Sequence, residues 1–381
     1  MYNMETILEE IMINTLKKSA DQFQKEGEYE QAKRMYFNAL RLSEKLLESD
    51  ESKFLPLISK ISKSIAVMYE EVNIYDLAIK YYRQSISLDK EILGAKSEKI
   101  ANSYLALGNL CRRDFRYVDA ERYYGKALNI YLDLPVSKVD NIEKKVINIY
   151  HYLSIICSAM GKVQETKDAY MSLLNIYKDL VTDEDDSYKP ELAMVLFNLG
   201  TLYFKNNRRN KASEVYLFAL ELLLYLDSKD EYGYQETIAH TLHNLGQIYT
   251  EQLDYPAALS AYKEALNHFI ELADDNPSRY GSEVALVFKN LASFYRQQKR
   301  MDLAEYFHLR QIELYRELNQ YNTSAYDFIL ASAIIEGVEH YGQHSITLYE
   351  AEAILRSYED EMHVEEVLEK ICMLREEMSF I

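Results

Sequence analysis

The chain has 381 residues, a length that fits two or three ordinary domains or one elongated array of repeats. Its residues are 48% hydrophobic and 27% charged, which is ordinary for a folded protein and excludes collagen-like or wholly disordered structure. The 61 acidic residues outnumber the 43 basic ones and give a formal net charge of -18, so we expect no binding to nucleic acid or to an anionic membrane surface.

The N-terminal segment and the cysteines restrict the choice further. No run of about 18 uncharged apolar residues occurs, and Glu5, Glu9 and Glu10 stand where a secretory signal would begin with cations. We therefore expect a cytoplasmic protein. The three cysteines follow no metal-binding spacing, which argues against a disulfide framework or structural zinc. The sequence gives no reason to expect a metal or another cofactor.

Residues that interrupt helices are rare. The chain has only 11 glycines and 5 prolines, which predicts long helices. Pro256 is expected in the first turn of a helix, where proline is tolerated. The other four prolines are expected between helices: Pro56, Pro135, Pro190 and Pro277.

The chain repeats itself at a fixed interval. Asn198-Leu199-Gly200 recurs 46 residues later as Asn244-Leu245-Gly246, and again 46 residues later as Asn290-Leu291-Ala292. Twelve residues beyond each small residue stands an alanine, and the register extends upstream to give Ala32, Ala78, Ala120, Thr166, Ala212, Ala258 and Ala304. Four residues further on there is a tyrosine in six units and a histidine in the seventh: Tyr36, Tyr82, Tyr124, Tyr170, Tyr216, Tyr262 and His308.

Each repeat is predicted to be a pair of amphipathic helices. In the fifth unit Leu196, Leu199, Gly200 and Tyr203 fall on one face of a helix, and the next helix repeats the pattern from Ala212. The small residues are expected to let the two helices approach closely, and the tyrosines to fill the space between pairs. Polar turns are predicted at Arg113–Tyr117, Lys205–Asn210 and Glu251–Tyr255.

This pattern of a small residue, an alanine twelve positions later and then an aromatic residue resembles the tetratricopeptide repeat. The resemblance covers roughly residues 14–318, and the 46-residue period is most similar to the kinesin-light-chain-like subgroup. It implies an all-α fold, a right-handed α-solenoid superhelix of antiparallel helix pairs. We predict seven pairs over residues 1–318, a degenerate eighth pair over 319–360 and a capping helix over 361–381.

The first helices of such an array are expected to line a concave groove, and polar residues on them are the candidate binding site. A column of asparagines could offer amides to an extended peptide backbone, and nearby arginines and lysines could attract an acidic one. The asparagines could equally fit packed positions between helices. The candidate peptide-binding residues are Asn102, Asn109, Arg112, Arg113, His151, Asn198, His243, Asn244, Gln247, Lys289, Asn290 and Arg296.

Other chemistry has little support in the sequence. His240 and His243 share a helix face but lack a third metal ligand, and Cys111 and Cys157 fall in the buried stripe, as core residues would. None of the common catalytic motifs occurs, so we expect no enzyme. The favoured function is a scaffold or adaptor that binds a peptide or protein segment. The alternative is a regulator that senses a signalling peptide, resembling Rap-type proteins, although the first repeat near Asn14 is expected to leave no room for their N-terminal output module.

Overall fold

The structure is a computed structural model that describes residues 4–134, 142–182, 186–229, 233–321, 323–342, 346–358 and 364–379. Over these ranges the chain forms seventeen α-helices and no β-strand. Successive helices pack as antiparallel pairs in a repeat array, which confirms the predicted all-α class. The chain divides into two compact units, Met1–Ile176 and Tyr177–Ile381.

The first unit contains seven helices and most of an eighth. The boundary at Ile176 falls inside α8. The first helix begins at Met4, upstream of the residue near 14 at which the repeats were expected to start. The helices are α1 Met4–Lys25, α2 Tyr29–Lys45, α3 Glu51–Glu71, α4 Tyr75–Leu93, α5 Glu98–Arg113, α6 Tyr117–Asp133, α7 Ile142–Ala159 and α8 Val163–Leu180.

The second unit contains the remaining helices. The boundary predicted at residue 318 falls inside α14, and the one predicted between 360 and 361 lies outside the described residues. The helices are α9 Lys189–Lys205, α10 Arg209–Asp227, α11 Gln235–Glu251, α12 Tyr255–Asp275, α13 Pro277–Gln297, α14 Met301–Tyr321, α15 Thr323–Tyr341, α16 Ile346–Arg356 and α17 Val364–Ser379.

Only one of the described prolines stands where it was expected: Pro256 lies in the first turn of α12. The expectation that Pro190 and Pro277 lie between helices is wrong, because they stand in the first turns of α9 and α13, where proline is tolerated. Pro135 lies outside the described residues. The expectation that Pro56 separates two helices is wrong, because α3 begins upstream of it, where the Asp50 side chain accepts a hydrogen bond from the Lys53 amide.

The turns within the pairs share one backbone conformation. The three turns predicted from the sequence are confirmed, since α5, α9 and α11 end at the first residue of each and the next helix begins at or just before its last. In each of the seven turns of the described pairs α1–α14, one residue is left-handed, with φ between 56° and 79°. These residues follow the register of the repeat: Gly27, Asn73, Phe115, Gly161, Asn207, Leu253 and Lys299.

One main-chain hydrogen bond accompanies each left-handed residue. The next amide donates to the carbonyl five residues earlier, for example from Arg116 to Cys111 at 2.8 Å and from Asp254 to Tyr249 at 2.9 Å. This is the Schellman pattern that ends many helices, and it normally favours glycine at the left-handed position. Two of the seven positions are glycine and two are asparagine, which also adopts this conformation readily. The hydrogen bonds therefore hold the turns at Phe115, Leu253 and Lys299 against the steric preference of their side chains.

In three pairs the core contains a tyrosine ring that faces a glycine sixteen positions earlier: Tyr124 faces Gly108, Tyr216 faces Gly200 and Tyr262 faces Gly246. An added Cβ at Gly108 would lie 2.5 Å from Tyr124 Cδ1, and one at Gly200 would lie 2.7 Å from Tyr216 Cδ1. Both rings are fully buried. The predicted close approach at the small residues is therefore confirmed, and its partner is the tyrosine of the same pair.

The two cysteines of the buried stripe are also where the sequence placed them. Cys111 and Cys157 are buried, and burial raises the pKa of each thiol to about 11. A thiol with so high a pKa is protonated at neutral pH and is a poor nucleophile. Both residues are packing elements.

We predict that Gly108→Ala destabilises the protein by about 1 to 3 kcal/mol, because the new methyl group would overlap the buried Tyr124 ring. Gly125→Ala on α6 is the matched control, since an added Cβ there meets nothing within 4 Å and alanine is the better helix former. Urea unfolding should show a lower midpoint for the first variant only. Equal midpoints for the two would contradict the packing described.

The turn conformation gives a second prediction. Leu253→Gly should stabilise the protein by about 0.5 to 1 kcal/mol, because relief of the left-handed strain exceeds the entropy that glycine loses on folding. The Leu253 side chain is 65% exposed, so little packing is lost. Gly161→Ala makes the opposite change and should lower the thermal midpoint. A lower midpoint for Leu253→Gly would show that its side chain matters more than its backbone.

Candidate functional site

The predicted asparagine column lies on three first helices of the second unit. Asn198 is on α9, Asn244 on α11 and Asn290 on α13, and all three side chains are half-buried. Helix α11 packs against both α9 and α13, so the three residues lie on neighbouring helices. We call the surface formed by these three helices the first-helix face of the second unit; α1, α3, α5 and α7 form the corresponding face of the first unit.

The Asn244 side chain is hydrogen-bonded to a buried tyrosine. Its Nδ2 donates to the Tyr216 hydroxyl at 3.0 Å, and that hydroxyl donates to Thr201 Oγ1 at 3.0 Å. Burial raises the pKa of Tyr216 to about 12, so the hydroxyl keeps its proton at neutral pH. The contact links the first helix of one pair to the second helix of the pair before it.

Asn290 is held by His243. The Asn290 Nδ2 atom lies 2.5 Å from His243 Nε2, and Gln247 Nε2 lies 3.3 Å from the same atom. Two amide donors at one ring nitrogen require that nitrogen to accept, so His243 is neutral with its proton on Nδ1. The ring is 3% exposed, and burial, with a smaller effect of His240, lowers the pKa of His243 to about 4. His243 therefore positions groove residues and is itself inaccessible.

The asparagines of the first unit also bond to tyrosines. Asn109 Oδ1 accepts from the Tyr124 hydroxyl at 2.8 Å, and Asn102 Oδ1 accepts from the Tyr131 hydroxyl at 2.6 Å. Asn102 lies one turn from Glu98, to which it donates at 3.4 Å. In both residues the carbonyl oxygen is used within the protein.

Two of the predicted cations are neutralised by carboxylates. Arg113 forms an ion pair with Glu70 at 3.1 Å, and Lys289 with Glu336 at 3.2 Å. Arg296 lies beside the hydroxyl of Tyr341 and hydrogen-bonds to it. The sequence could not show these pairings, because each ion pair joins helices that lie more than forty residues apart in the chain.

Arg112 and His151 lie where α5 meets the next repeat. The Arg112 guanidinium carbon is 4.6 Å from the centroid of the Tyr152 ring, a cation–π contact. Among the described residues, no group accepts a hydrogen bond from its buried Nε. The half-buried His151 offers its carbonyl to the Ser154 hydroxyl at 2.8 Å.

A groove on the first helices of the first unit was not predicted from the sequence. It has a volume of about 490 Å³ and lies between α1 and α3, where Asp21, Gln24, Tyr36 and Lys63 contribute to its wall. The Tyr36 hydroxyl lies 2.7 Å from both Asp21 and Gln24, and burial lowers the pKa of Lys63. The repeated tyrosines of the sequence could have indicated this groove, because their hydroxyl groups point toward the first helices.

The described ranges contain neither a cluster of metal ligands nor a membrane-spanning helix. In those ranges no three histidine, cysteine, aspartate or glutamate side chains come together to hold a metal, and His240 lies 3.9 Å from Glu283. None of the helices described combines the length and apolar character needed to cross a bilayer.

Two segments of the chain match family models of the tetratricopeptide repeat, residues 59–133 and 238–267. These two segments carry tetratricopeptide repeats. No curated protein sequence matches the chain. Repeats of this kind generally mediate protein–protein interactions and typically bind proteins or peptides.

Several solved tetratricopeptide-repeat structures are similar at low identity. BtubC from P. vanneervenii is 20% identical, with a TM-score of 0.46 over 64% of this chain and 89% of that one. A Podosopora anserina protein described as a kinesin light chain with nearly identical repeats is 16% identical, with a TM-score of 0.42 over 58% of this chain and 97% of that one.

A larger protein matches over more of the chain. The signal transduction ATPase with numerous domains from Pyrococcus horikoshii, which has a tetratricopeptide repeat sensor, is 16% identical, with a TM-score of 0.50. The match covers 94% of this chain but 49% of that one. At this identity the likeness shows the fold alone.

The buried histidine predicts an acid-dependent stability. The folded protein binds a proton at His243 only near pH 4, whereas the unfolded chain binds one at the ordinary value of 6.5. The stabilisation is therefore complete above pH 6.5 and is lost as the pH falls to about 4, by about 3 kcal/mol in total.

We expect His243→Gln to flatten the pH profile of the unfolding free energy in this window. His340→Gln, at an exposed histidine, is the control and should keep the wild-type profile. If the unfolding free energy of His243→Gln depended on pH as steeply as that of the wild type, other groups would be the cause of the acid dependence.

Proposed function

We propose that the protein is a non-enzymatic, cytoplasmic scaffold or adaptor of the kinesin-light-chain-like subgroup. It binds an extended segment of another protein along the first-helix face of the second unit and uses no cofactor. The 46-residue register and the absence of catalytic motifs from the sequence support this proposal.

One observation carries the proposal: the amides of Asn198, Asn244 and Asn290 recur at the same position on three neighbouring helices. An asparagine amide has two donor hydrogens and an acceptor oxygen. The contacts of Asn244 to Tyr216 and of Asn290 to His243 orient the amide while occupying only part of this capacity. A pre-oriented amide loses little freedom when a ligand binds, so the remaining capacity suits a peptide backbone.

The charged residues on the first helices favour recognition of a partner segment that does not depend on the charge of that segment. Lys289 is paired with Glu336 and Arg113 with Glu70, so neither is a free cation for an acidic segment. Backbone hydrogen bonds to the amides do not depend on the charge of the partner. Binding along the asparagine column should therefore depend weakly on salt.

The experiment measures the affinity of a labelled peptide selected by display on the wild-type protein. The variant with Asn198, Asn244 and Asn290 all changed to alanine should bind it about ten- to a thousandfold more weakly, since each lost hydrogen bond contributes roughly 0.5 to 1.5 kcal/mol. The matched control changes Asn38, Asn129 and Asn267 to alanine. These are exposed asparagines on α2, α6 and α12, and the control should bind as the wild type does.

A second control distinguishes contact of Asn244 with the peptide from its hydrogen bond to Tyr216 within the protein. Tyr216→Phe removes the hydroxyl that holds Asn244 and leaves the asparagine in place. If the amide contacts the peptide, this variant should lose less affinity than Asn244→Ala. Equal losses, or unchanged affinity in the triple variant, would show that the asparagines are structural.

A further inference from the structure

A groove in the first unit collects positive charge in a protein whose net charge is -18. It lies among α4, α5 and α6, has a volume of about 380 Å³ and is lined in part by Arg83, Lys90, Tyr104, Arg122, Tyr123 and Lys126. We call it the cationic groove. None of its residues belongs to the asparagine column or to the predicted peptide-binding set.

Two stacked tyrosines form the floor of the cationic groove. The ring centroids of Tyr104 and Tyr123 are 6.1 Å apart with an angle of 22° between the planes. The two residues are only 6% and 4% exposed, so the floor is fixed by the core of the unit. A rigid floor restricts where the flexible cations above it can lie.

Four exposed cations surround this floor. Lys126 Nζ is 5.4 Å from the centroid of Tyr104 and 5.9 Å from that of Tyr123. Lys90 Nζ is 5.5 Å from Tyr104, and the guanidinium carbons of Arg83 and Arg122 are 5.8 and 5.2 Å from Tyr123. All four charges therefore lie within 5.8 Å of the centroid of one of the two rings and line one groove.

The carboxylates nearby do not balance this charge. Arg122 pairs with Asp119, and Arg83 Nε donates to the Tyr123 hydroxyl at 2.7 Å. Within the described ranges no carboxylate forms an ion pair with Lys90 or Lys126. Like charges gathered in one groove repel each other, and a bound anion of high charge would relieve that repulsion.

We propose that the cationic groove binds the phosphate group of a phosphorylated segment of a partner protein. A phosphoserine or phosphothreonine carries close to two negative charges and three strong acceptor oxygens, which match two arginine forks and two lysines better than a single carboxylate does. The cations are exposed at an open groove, so a phosphate attached to a chain can reach them. A long nucleic-acid polyanion would extend from the groove onto an acidic protein and be repelled.

The test compares two labelled nine-residue peptide libraries that have a central phosphoserine or a central serine and random flanks. Fluorescence anisotropy with the wild-type protein should show at least about tenfold tighter binding of the phosphorylated library, as expected when charge-assisted hydrogen bonds are added. Lys90→Glu/Lys126→Glu should abolish the difference, and the milder Lys90→Gln/Lys126→Gln should reduce it. Both lysine side chains are exposed, so circular dichroism and melting should match the wild type.

The control makes the same charge change elsewhere in the first unit. Arg34→Glu/Arg41→Glu alters two exposed arginines on α2 and should keep the tenfold preference. The alanine variant of the asparagine column should keep it too, so failure of this proposal and failure of the proposed function are distinguishable.

Three results would overturn the proposal. They are equal binding of the two libraries, wild-type preference in Lys90→Glu/Lys126→Glu, and loss of preference in Arg34→Glu/Arg41→Glu. Inorganic phosphate serves as the competitor. If it displaced the library at the library's own dissociation constant, the site would be one for free phosphate, and the assignment to a protein-borne group would be wrong.

Discussion

The contact between a tyrosine ring and a small residue sixteen positions earlier sets the geometry of the protein. Gly108, Gly200 and Gly246 each face such a ring, and the register places Ala20, Ala66 and Ser154 opposite Tyr36, Tyr82 and Tyr170. A larger residue at any of these positions would push the two helices of a pair apart. Because each pair presents its face to the next one, the spacing within pairs also determines how neighbouring pairs fit.

The same tyrosines connect the core to the first-helix face. A phenylalanine would fill the space equally well, but its ring ends in carbon, whereas the hydroxyl of Tyr216 reaches Thr201 and Asn244. Tyr124 reaches Asn109 in the same way. The chain has 34 tyrosines and no tryptophan, and these contacts give a physical reason for part of that bias. Polar side chains on the face are therefore oriented by groups that belong to the core.

The sequence predicts the fold well because the repeat is a local pattern. Small residues, alanines and tyrosines at fixed intervals specify helix pairs and their turns, and the turn at Lys205–Asn210 falls between α9 and α10 as expected. The site was less predictable, because it depends on contacts between repeats. The pairing of Lys289 with Glu336 and the grouping of Lys90 with Lys126 arise from residues on different helices that share no periodic position.

Surface residues at the left-handed turns differ from other surface residues in how well they tolerate substitution. Main-chain hydrogen bonds fix each turn, while Phe115 and Leu253 leave 79% and 65% of their surface in water. Natural substitution at these positions can alter the exterior of the molecule while the packing between helices stays the same. In the pairs that carry Phe115 and Leu253, new surface chemistry can therefore evolve at the turn without disturbing the groove residues held by the tyrosines.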